Sequence, residues 1–269
     1  MNSRYIGTNI VELFSKRELT YILVKKKLKE KHVGSVLGYF WSFYAALFPV
    51  FSYVFVFFFI AKIKVEGVEG PWQYLLYVFS GLLPWLFFNN VIIESIDALN
   101  SNLDLLRQAI FPVEVISLVC ATENLVNFLL QTALLIIILL FSGIVSIKKI
   151  VLLPFFCVLL YMFCLGLAWI LSILGYFLRD LKDALATLIR FLIYLTPIMY
   201  AKGNVPDKIW FLFIVNPMTH AIYFFRDIVS HDKLEEPSSI VIFCLISLIT
   251  FIIGYLSILS VKKTIGDMI

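Results

Sequence analysis

The residues that could do chemistry are few and widely separated in this chain of 269 residues. Its three histidines, His32, His220 and His231, stand in no HExxH or similar arrangement, so they predict no metal site. No Ser/His/Asp or Cys/His grouping stands out, and the absence of a Gly-Lys dipeptide excludes a P-loop. We therefore expect no catalytic residue, no bound cofactor and no metal, and any ATP-driven work would require a partner protein.

Polar side chains inside apolar runs are a stronger chemical signal. Glu123, Asn127 and Gln131 recur at intervals of four within an apolar run, and Asn124 stands beside them. That interval places the first three on one face of a helix. Such groups are costly when they face lipid, so they should face protein or water. They either line a pathway or join helices by hydrogen bonds, and the sequence leaves both interpretations open.

The composition indicates that these residues belong to a membrane protein. Hydrophobic residues make up 61% of the chain and charged residues 15%, whereas a soluble domain is about a quarter charged. The predicted fold class is an all-α integral membrane protein with a single domain, residues 1–269. Residues 1–37 form a cytoplasmic N-terminal segment and 262–269 a cytoplasmic tail. Between them, 38–261 form a six-span region, with spans at 38–61, 72–93, 115–141, 150–177, 184–200 and 240–261.

A basic amphipathic helix is predicted before the first span. Ser15 and Glu18 fit a capping box, and the helix should run to about Lys31. Because its lysines stand beside apolar residues, we expect it to lie along an anionic cytoplasmic membrane surface. Lys and Arg are in excess in the segments assigned to that side, and nearly all of the excess comes from this helix. The excess places both termini inside the cell.

A second amphipathic helix is predicted between the second and third spans. Its apolar residues recur at spacings of four, three and four, at Leu99, Leu103, Leu106 and Ile110. Asn100 or Ser101 can cap this helix, and Pro112 ends it. The predicted topology places it in the cytoplasm. There its apolar face either presses against a partner or floats on the bilayer surface.

Aromatic residues form a ridge along the first span. They recur every three or four residues, at Phe40, Tyr44, Phe48, Phe51, Phe55 and Phe58, which places them on one helical face. Aromatic faces suit the C–H surfaces of sugar rings, so the ridge could line a path for carbohydrate. The alternative is contact with lipid or packing between helices, which is common in aromatic-rich spans.

The fifth apolar element is interrupted. Its first part, residues 184–200, contains Arg190 and Pro197 and is followed by a turn. The next apolar run, residues 209–218, reaches only to the Asn216-Pro217 break, whereas a bilayer crossing needs about twenty residues. Backbone at membrane depth must be covered by protein or line a watery cavity. The second run is therefore either part of a gate or an interfacial helix that anchors a loop.

Several stretches, taken in order, resemble the transmembrane subunit of ABC exporters that move bacterial surface polysaccharides, most of all the O-antigen exporters. They are VKKKLKEKHVGSVLGYFWSFYAALFPV (24–50), FSGLLPWLFFNN (79–90), LDLLRQAIFPVE (103–114), GYFLRDLKDA (175–184), LTPIMY (195–200), VPDKIW (205–210) and FIVNPM (213–218). The resemblance covers nearly the whole chain. It implies a homodimer of six-span subunits around a channel in the bacterial inner membrane, and each subunit contacts a separate cytoplasmic nucleotide-binding subunit that binds ATP and Mg.

The resemblance also assigns roles to residues of this sequence. The interface helix that contacts the ATPase would include Lys25, Lys26, Lys27 and Lys29. Coupling to the ATPase would involve Asn102, Asp104, Arg107, Gln108, Arg179, Asp180 and Lys182. The candidate substrate path comes instead from the aromatic ridge, the polar face and Arg190, and it includes Phe40, Tyr44, Phe48, Phe51, Glu123, Asn127 and Arg190. A re-entrant helical hairpin between the fifth and sixth spans would form an outer gate with Pro197, Tyr200, Trp210, Asn216 and Pro217.

The resemblance further implies a lipid-linked glycan as cargo, and we expect O antigen on undecaprenyl diphosphate. Arg190, about 9 Å from the predicted cytoplasmic end, would either snorkel to the interface or meet the diphosphate. Capsular polysaccharide and teichoic acid are alternative cargoes, and a small-molecule exporter is a further alternative. A membrane enzyme acting on lipid-linked sugars is the alternative of another class. No nucleic-acid partner is expected, and membrane lipids surround the subunit.

Overall fold

A computed structural model describes residues 16–32, 40–107, 111–143, 147–178, 180–229 and 237–268 of the protein. These residues are helical or in turns, and they contain no strand. The α-helices are α1 (Arg17–His32), α2 (Phe40–Tyr53), α3 (Gly70–Ile96), α4 (Leu103–Leu106), α5 (Val113–Phe141), α6 (Ile147–Ile150), α7 (Leu153–Phe177), α8 (Leu181–Leu192), α9 (Asp207–Val215), α10 (Pro217–Val229) and α11 (Pro237–Met268). The all-α class predicted from the sequence is thus confirmed for the described residues.

Four of the described helices, α3, α5, α7 and α11, are long and apolar enough to cross a membrane. Each exceeds the roughly twenty residues that a crossing requires, and each matches a predicted span within about three residues, except that α11 extends further. The protein is therefore a multi-pass membrane protein. The other two predicted spans are interrupted in different ways, and the six-span topology stays a prediction.

The predicted first span changes its helical form partway along. α2 is followed by a π-helical segment, Val54–Ile60, whose wider turn shifts the direction of every later side chain. The predicted fifth span contains α8 and a 3-10 turn, Ile193–Leu195, and then loses helical structure at Thr196. It is interrupted before Pro197, as the residue preceding a proline is disfavoured in the α conformation.

The hydrophobic core lies where α3, α5, α7, α10 and α11 meet. The rings of Phe156 and Phe225 have centroids 5.1 Å apart, and the ring of Phe128 lies 6.0 Å from that of Phe225. Every residue of α10 from Met218 to Val229 is buried, and only its first residue, Pro217, is partly exposed. This short helix is therefore enclosed by protein, although it is too short to cross a bilayer.

The backbones of α7 and α11 touch at glycines. A Cβ atom placed on Gly166 would overlap the carbonyl group of Thr250, and one placed on Gly254 would overlap the carbonyl oxygen of Gly166. No side chain fits between the two helices at this crossing. Glycines thus allow these helices to approach more closely than other residues would permit.

The segment between α3 and α5 begins as predicted, but its side chains do not cap a helix. A 3-10 turn, Asn100–Asn102, leads into α4, and neither element has a side-chain cap. The Ser101 hydroxyl instead donates to the carbonyl oxygen of Asp97 at 2.5 Å, and the Asn100 amide donates to that of Gly175 at 3.0 Å. The predicted cap at Asn100 or Ser101 is therefore wrong, because these side chains bond to carbonyl groups rather than to free N–H groups.

Candidate functional site

Lysines of α1, and Lys16 just before it, pair with carboxylates on the neighbouring helices α3 and α5. Lys16 Nζ lies 3.0 Å from Glu114, Lys27 Nζ lies 2.8 Å from Glu94, and Lys31 Nζ lies 2.9 Å from Glu123. Lys27 Nζ also lies 3.6 Å from Glu123, and Lys31 Nζ lies 3.6 Å from Glu94, so the two lysines share both carboxylates. We call the end of the bundle that holds these pairs the α1 end.

The charges of the α1 end depend on one another. Burial lowers the pKa of Lys31, but the hydrogen bond to Glu123 and the charge of Glu94 raise it more, so that this pKa lies above its ordinary value. Burial also lowers the pKa of Lys27, but Cys120, the charge of Glu94 and the hydrogen bond to Glu94 raise it above its ordinary value. Glu123 has no exposed side-chain surface. Its charge would be very unfavourable there without the lysines, so the network fixes α1 to α5.

The length of α5 explains why charges are tolerated here. Its 29 residues extend about 43 Å at 1.5 Å per residue, whereas the hydrocarbon core is about 30 Å thick. The excess of about 13 Å equals the rise from Glu114 to Glu123. The ion pairs therefore fit in the interfacial region, and the apolar remainder of α5 suffices to cross the hydrocarbon.

A cavity of about 610 Å³ opens between α1, the end of α3 and the segment before α5. Lys26 and Glu30 line it from α1, and Asn102 lines it from the opposite side. Lys182 also lines it and pairs with Asp97, so α8 is joined to the end of α3. We call this cavity the charged cleft.

Two of the predicted coupling residues, Asn102 and Lys182, line the charged cleft. Asn102 donates to the carbonyl oxygen of Ala98 at 2.8 Å. Asp104 and Arg107 are exposed and lie 3.9 Å apart. Asp180 is exposed at the start of α8. Gln108, Arg179 and Ser15, the last from the predicted capping box, lie outside the described residues.

The predicted interface-helix lysines divide between two environments. Lys27 joins the ion-pair network, and Lys26 lies 3.8 Å from Glu30 of the same helix. Lys25 and Lys29 are exposed. The expectation that the whole helix lies on a lipid surface needs correction. One of its faces packs on α5, where Val24 is buried against Val115 and Val119.

The aromatic ridge is largely exposed in a single chain. Tyr44, Phe48, Phe51 and Phe55 are each more than half exposed. Phe58 leaves the ridge, and its ring centroid lies 5.4 Å from that of Tyr74. This departure follows from the π-helical turn, which the assumed helical spacing did not include. The side chain of Phe40 lies outside what the structure describes.

The other predicted path residues occupy contrasting positions. Arg190 is exposed on α8. Glu123 and Asn127 are buried, and the Asn127 amide donates to Glu123 at 2.9 Å. Asn124 donates to Glu94 at 3.1 Å, which joins α5 to α3. The structure thus shows Glu123 and Asn124 in contacts between helices, and a role for Glu123 and Asn127 in a path stays a prediction.

At the opposite end of the bundle, Arg226 of α10 stabilises the interrupted fifth element. It is 2% exposed, and it donates to the carbonyl oxygens of Pro197 and Ile198 at 2.5 and 2.9 Å. It also donates to the hydroxyl and carbonyl oxygens of Tyr77 at 3.0 and 3.2 Å. Carbonyl groups freed by the broken helix thereby find donors inside the protein. We call this group the arginine clamp.

The predicted outer-gate residues lie around the arginine clamp. The carbonyl oxygen of Pro197 accepts from Arg226, and that of Tyr200 accepts from the Tyr77 hydroxyl at 3.2 Å. Asn216 lies between α9 and α10. Its amide donates to the carbonyl oxygen of Leu195 at 3.1 Å, and its side-chain oxygen accepts from the Met218 N–H at 3.0 Å.

Pro217 and Trp210 complete the predicted outer-gate set. Pro217 begins α10, as the helix break predicted at Asn216-Pro217 requires. Trp210 stacks on Phe213 with ring centroids 5.1 Å apart. A helix–break–helix arrangement is therefore present, and its re-entrant relation to the membrane stays a prediction.

Sequence reasoning missed the residues that hold both ends together. Arg226 was a signal in itself, because a charged residue within an apolar helix is expected to have a buried partner. Gly81 is part of the same group, since a Cβ there would lie 2.7 Å from Arg226 Nη2. Glu94 and Glu114 flank predicted spans, where a charged residue is expected even if it has no ion-pair partner in the protein. Pairing across 67 to 98 residues leaves no local pattern in the sequence.

Comparison with known proteins shows what the chain is similar to. A family model described as ABC-2 type transporter matches residues 18–229. The O-antigen export system permease protein RfbA of Klebsiella pneumoniae is 27% identical over 219 residues, which are 81% of this chain and 82% of the relative. The protein of that name from Myxococcus xanthus is 25% identical over 240 residues, 88% and 90% of the two chains. The polysialic acid transport protein KpsM of Escherichia coli is 21% identical over 219 residues, 81% and 83%.

Proposed function

Because the chain belongs to the ABC-2 type transporter family, we propose that it is the channel-forming subunit of an ATP-driven exporter of lipid-linked O antigen. The observation that carries this proposal is the extent of the similarity. The family match runs from α1 to the end of α10 and includes both the charged cleft and the arginine clamp. Relatives named as O-antigen export permeases align with 81% to 88% of the chain.

The charged cleft is the proposed contact for a cytoplasmic ATPase. Its rim presents charges of both signs, including Lys26, Glu30 and Lys182, and Asp104 and Arg107 are exposed nearby. Rim charges of this kind steer and orient a partner. Because α1 is fixed to α5 and Lys182 joins α8 to α3, a displacement of the cleft would be transmitted to three of the bundle's helices.

Two copies of the chain would enclose the channel. The exposed aromatic residues of α2, with Phe191 of α8 and Tyr194 of the 3-10 turn that follows it, give an apolar surface that a second subunit can cover. Arg190 is exposed on α8 between them. A channel lined from these helices would offer aromatic rings to sugars and one cation to a diphosphate.

Capsular polysaccharide is the second candidate cargo. Relatives named polysialic acid transport protein are 21% and 22% identical to the chain. The proteins named for O-antigen export are more similar, at 25% to 27%, so we favour O antigen.

The first experiment co-purifies the chain with the ATPase encoded beside it and examines the surface glycans of a deletion strain. A stable complex and loss of O antigen are expected. Loss of capsule with O antigen retained would change the assigned cargo to capsular polysaccharide. An absent complex together with normal surface glycans would refute the exporter assignment.

The second experiment tests coupling at the cleft. Arg107→Glu and Asp104→Lys should lower cargo-stimulated ATPase activity and leave membrane insertion unchanged, because both side chains are exposed and their mutual pair at 3.9 Å contributes little to stability. Lys64→Glu, exposed at the other end of the bundle, is the matched control. Normal stimulation in both cleft variants would contradict the assignment.

A further inference from the structure

A second groove, of about 670 Å³, lies on the other side of α1 from the charged cleft. It runs between α1 and α5. Its lining is mostly apolar, with cationic residues among the α1 contributors: Arg17, Thr20, Tyr21, Val24, Lys25, Leu28, Lys29, Leu118, Thr122 and Val126. No part of the proposed export path explains this groove.

α1 divides its cations between two faces. Lys16, Lys27 and Lys31 face α3 and α5 and pair with carboxylates. Arg17, Lys25 and Lys29 line the second groove, whose lining contains no carboxylate. Among the described residues, these three cations have no carboxylate within ion-pair distance. Lys25 Nζ lies 5.9 Å from the ring centroid of Tyr21, over its face.

The floor of the groove is a stripe along α5. Leu118, Thr122 and Val126 recur every four residues, so they share one face of the helix. Thr122 satisfies its hydroxyl within the protein, through the carbonyl oxygen of Leu118 and the Tyr161 hydroxyl, at 2.7 and 2.8 Å. The floor therefore offers an apolar surface, and the polar groups of an occupant would meet the cations of α1 instead.

The groove lies at the level where headgroups meet hydrocarbon. About 30 Å of α5 counted back from Phe141 begins near Thr122. The stripe from Leu118 to Val126 thus straddles that boundary. Lys and Arg side chains beside such a boundary attract anionic lipid, and their aliphatic stems can cover acyl chains.

We propose that this groove is the binding seat of one anionic glycerophospholipid of the leaflet that α1 contacts. Its phosphate lies beside Lys25 and Lys29, which are one helical turn apart on α1, and an acyl chain follows the stripe on α5. The position of the groove separates this lipid from the cargo. The stripe contacts α7 through Tyr161, whereas α2 and α8, whose exposed faces are proposed for the channel, pack on α3 through their other faces. The proposal stands whichever glycan is exported.

The first test compares the protein in nanodiscs of phosphatidylglycerol and of phosphatidylcholine. Native mass spectrometry counts retained phosphatidylglycerol, and thermal unfolding measures its effect. Lys25→Gln/Lys29→Gln should weaken retention about thirtyfold, since each cation near the surface contributes about fivefold to anionic lipid affinity. Lys62→Gln/Lys64→Gln, the same charge change at exposed residues of the opposite end, should leave retention unchanged. Equal stability of the wild type in both lipids would overturn the proposal.

The second test separates a seat from general attraction to charge. Val126→Trp fills the groove without changing any charge, and it should displace the retained lipid while the ion pairs of α1 persist. Loss in the lysine variant with full retention in Val126→Trp would show attraction to the surface only and would overturn the seat. Recovery of an isoprenoid diphosphate in place of a glycerophospholipid would also overturn it, because the groove would then hold cargo.

Discussion

At the α1 end, lysines 39% and 41% exposed reach carboxylates through long side chains, whereas at the opposite end an arginine 2% exposed donates directly to backbone carbonyl groups. The lysine pairs join one side chain to another. The arginine clamp joins a side chain to the main chain of a broken helix.

This difference indicates which end can adjust. The lysine ends of these pairs are partly exposed, so salt screens them in part, and two lysines that share two carboxylates can exchange partners without leaving the buried Glu123 unpaired. A buried guanidinium bonded to several carbonyl groups has a fixed planar geometry and leaves unsatisfied groups behind if it moves. α1 can therefore shift between the shared carboxylates while it stays attached to α5, whereas the arginine clamp preserves the shape of the interrupted fifth element.

The largest effect is expected from removing the arginine clamp. Arg226→Ala leaves the carbonyl groups of Pro197 and Ile198 without a donor and creates a cavity, so the free energy of unfolding should fall by about 3–5 kcal/mol. Unfolding in mixed micelles measures it. Arg190→Ala, at an exposed arginine, is the control and should change little. An equal effect of both variants would show that the clamp contributes no stability.

A smaller effect is expected from crowding the clamp. The new Cβ in Gly81→Ala would lie 2.7 Å from Arg226 Nη2 and 3.2 Å from Ile198 Cα, which should destabilise the fold by about 1–3 kcal/mol. Gly203→Ala, with nothing within 4 Å of the added atom, is the control. The cost of Gly81→Ala should shrink when Arg226→Ala is also present, and strict additivity in this double-mutant cycle would contradict the proximity argument.

The smallest of the three effects is expected at the α1 end. Glu123→Gln removes one of the two carboxylates that Lys27 and Lys31 share, and Glu94 remains. Hydrogen exchange of the α1 amides should become about tenfold faster, which corresponds to a fall of about 1.4 kcal/mol in the free energy of local opening. Exchange in α10 should not change. Glu30→Gln breaks only the exposed pair with Lys26 and should change exchange by less than about 0.5 kcal/mol. Unchanged exchange in Glu123→Gln would show that the network does not hold α1.

The long spans could be predicted from the sequence because hydropathy over twenty residues is a strong local signal. The span predicted at 72–93 corresponds to α3 (Gly70–Ile96), and the span predicted at 115–141 corresponds to α5 (Val113–Phe141). The break at Asn216-Pro217 was also predicted, since proline acts on its immediate neighbours.

The side-chain contacts at both ends could not be predicted, because they depend on tertiary position. Lys16 and the lysines of α1 form a pattern that is typical of a helix on a lipid surface. The carboxylates that pair with them lie 67 to 98 residues further along the chain. Phe58 was placed on the aromatic ridge because a regular α-helix was assumed, and the π-helical turn moves it against Tyr74. For Glu123, Asn127 and Gln131 of α5, the sequence showed that the side chains share one helical face. It did not show that Glu123 pairs with lysines of α1.

The glycine crossing of α7 and α11 bears on how the subunit can move during a transport cycle. Side chains that separate two helices can change rotamer and let the helices slide, but at Gly166 and Gly254 one backbone rests directly on the other. These two helices should therefore travel as one stiff body. The movements of the cycle then fall to shorter elements such as α1, which contacts α3 and α5 through side chains.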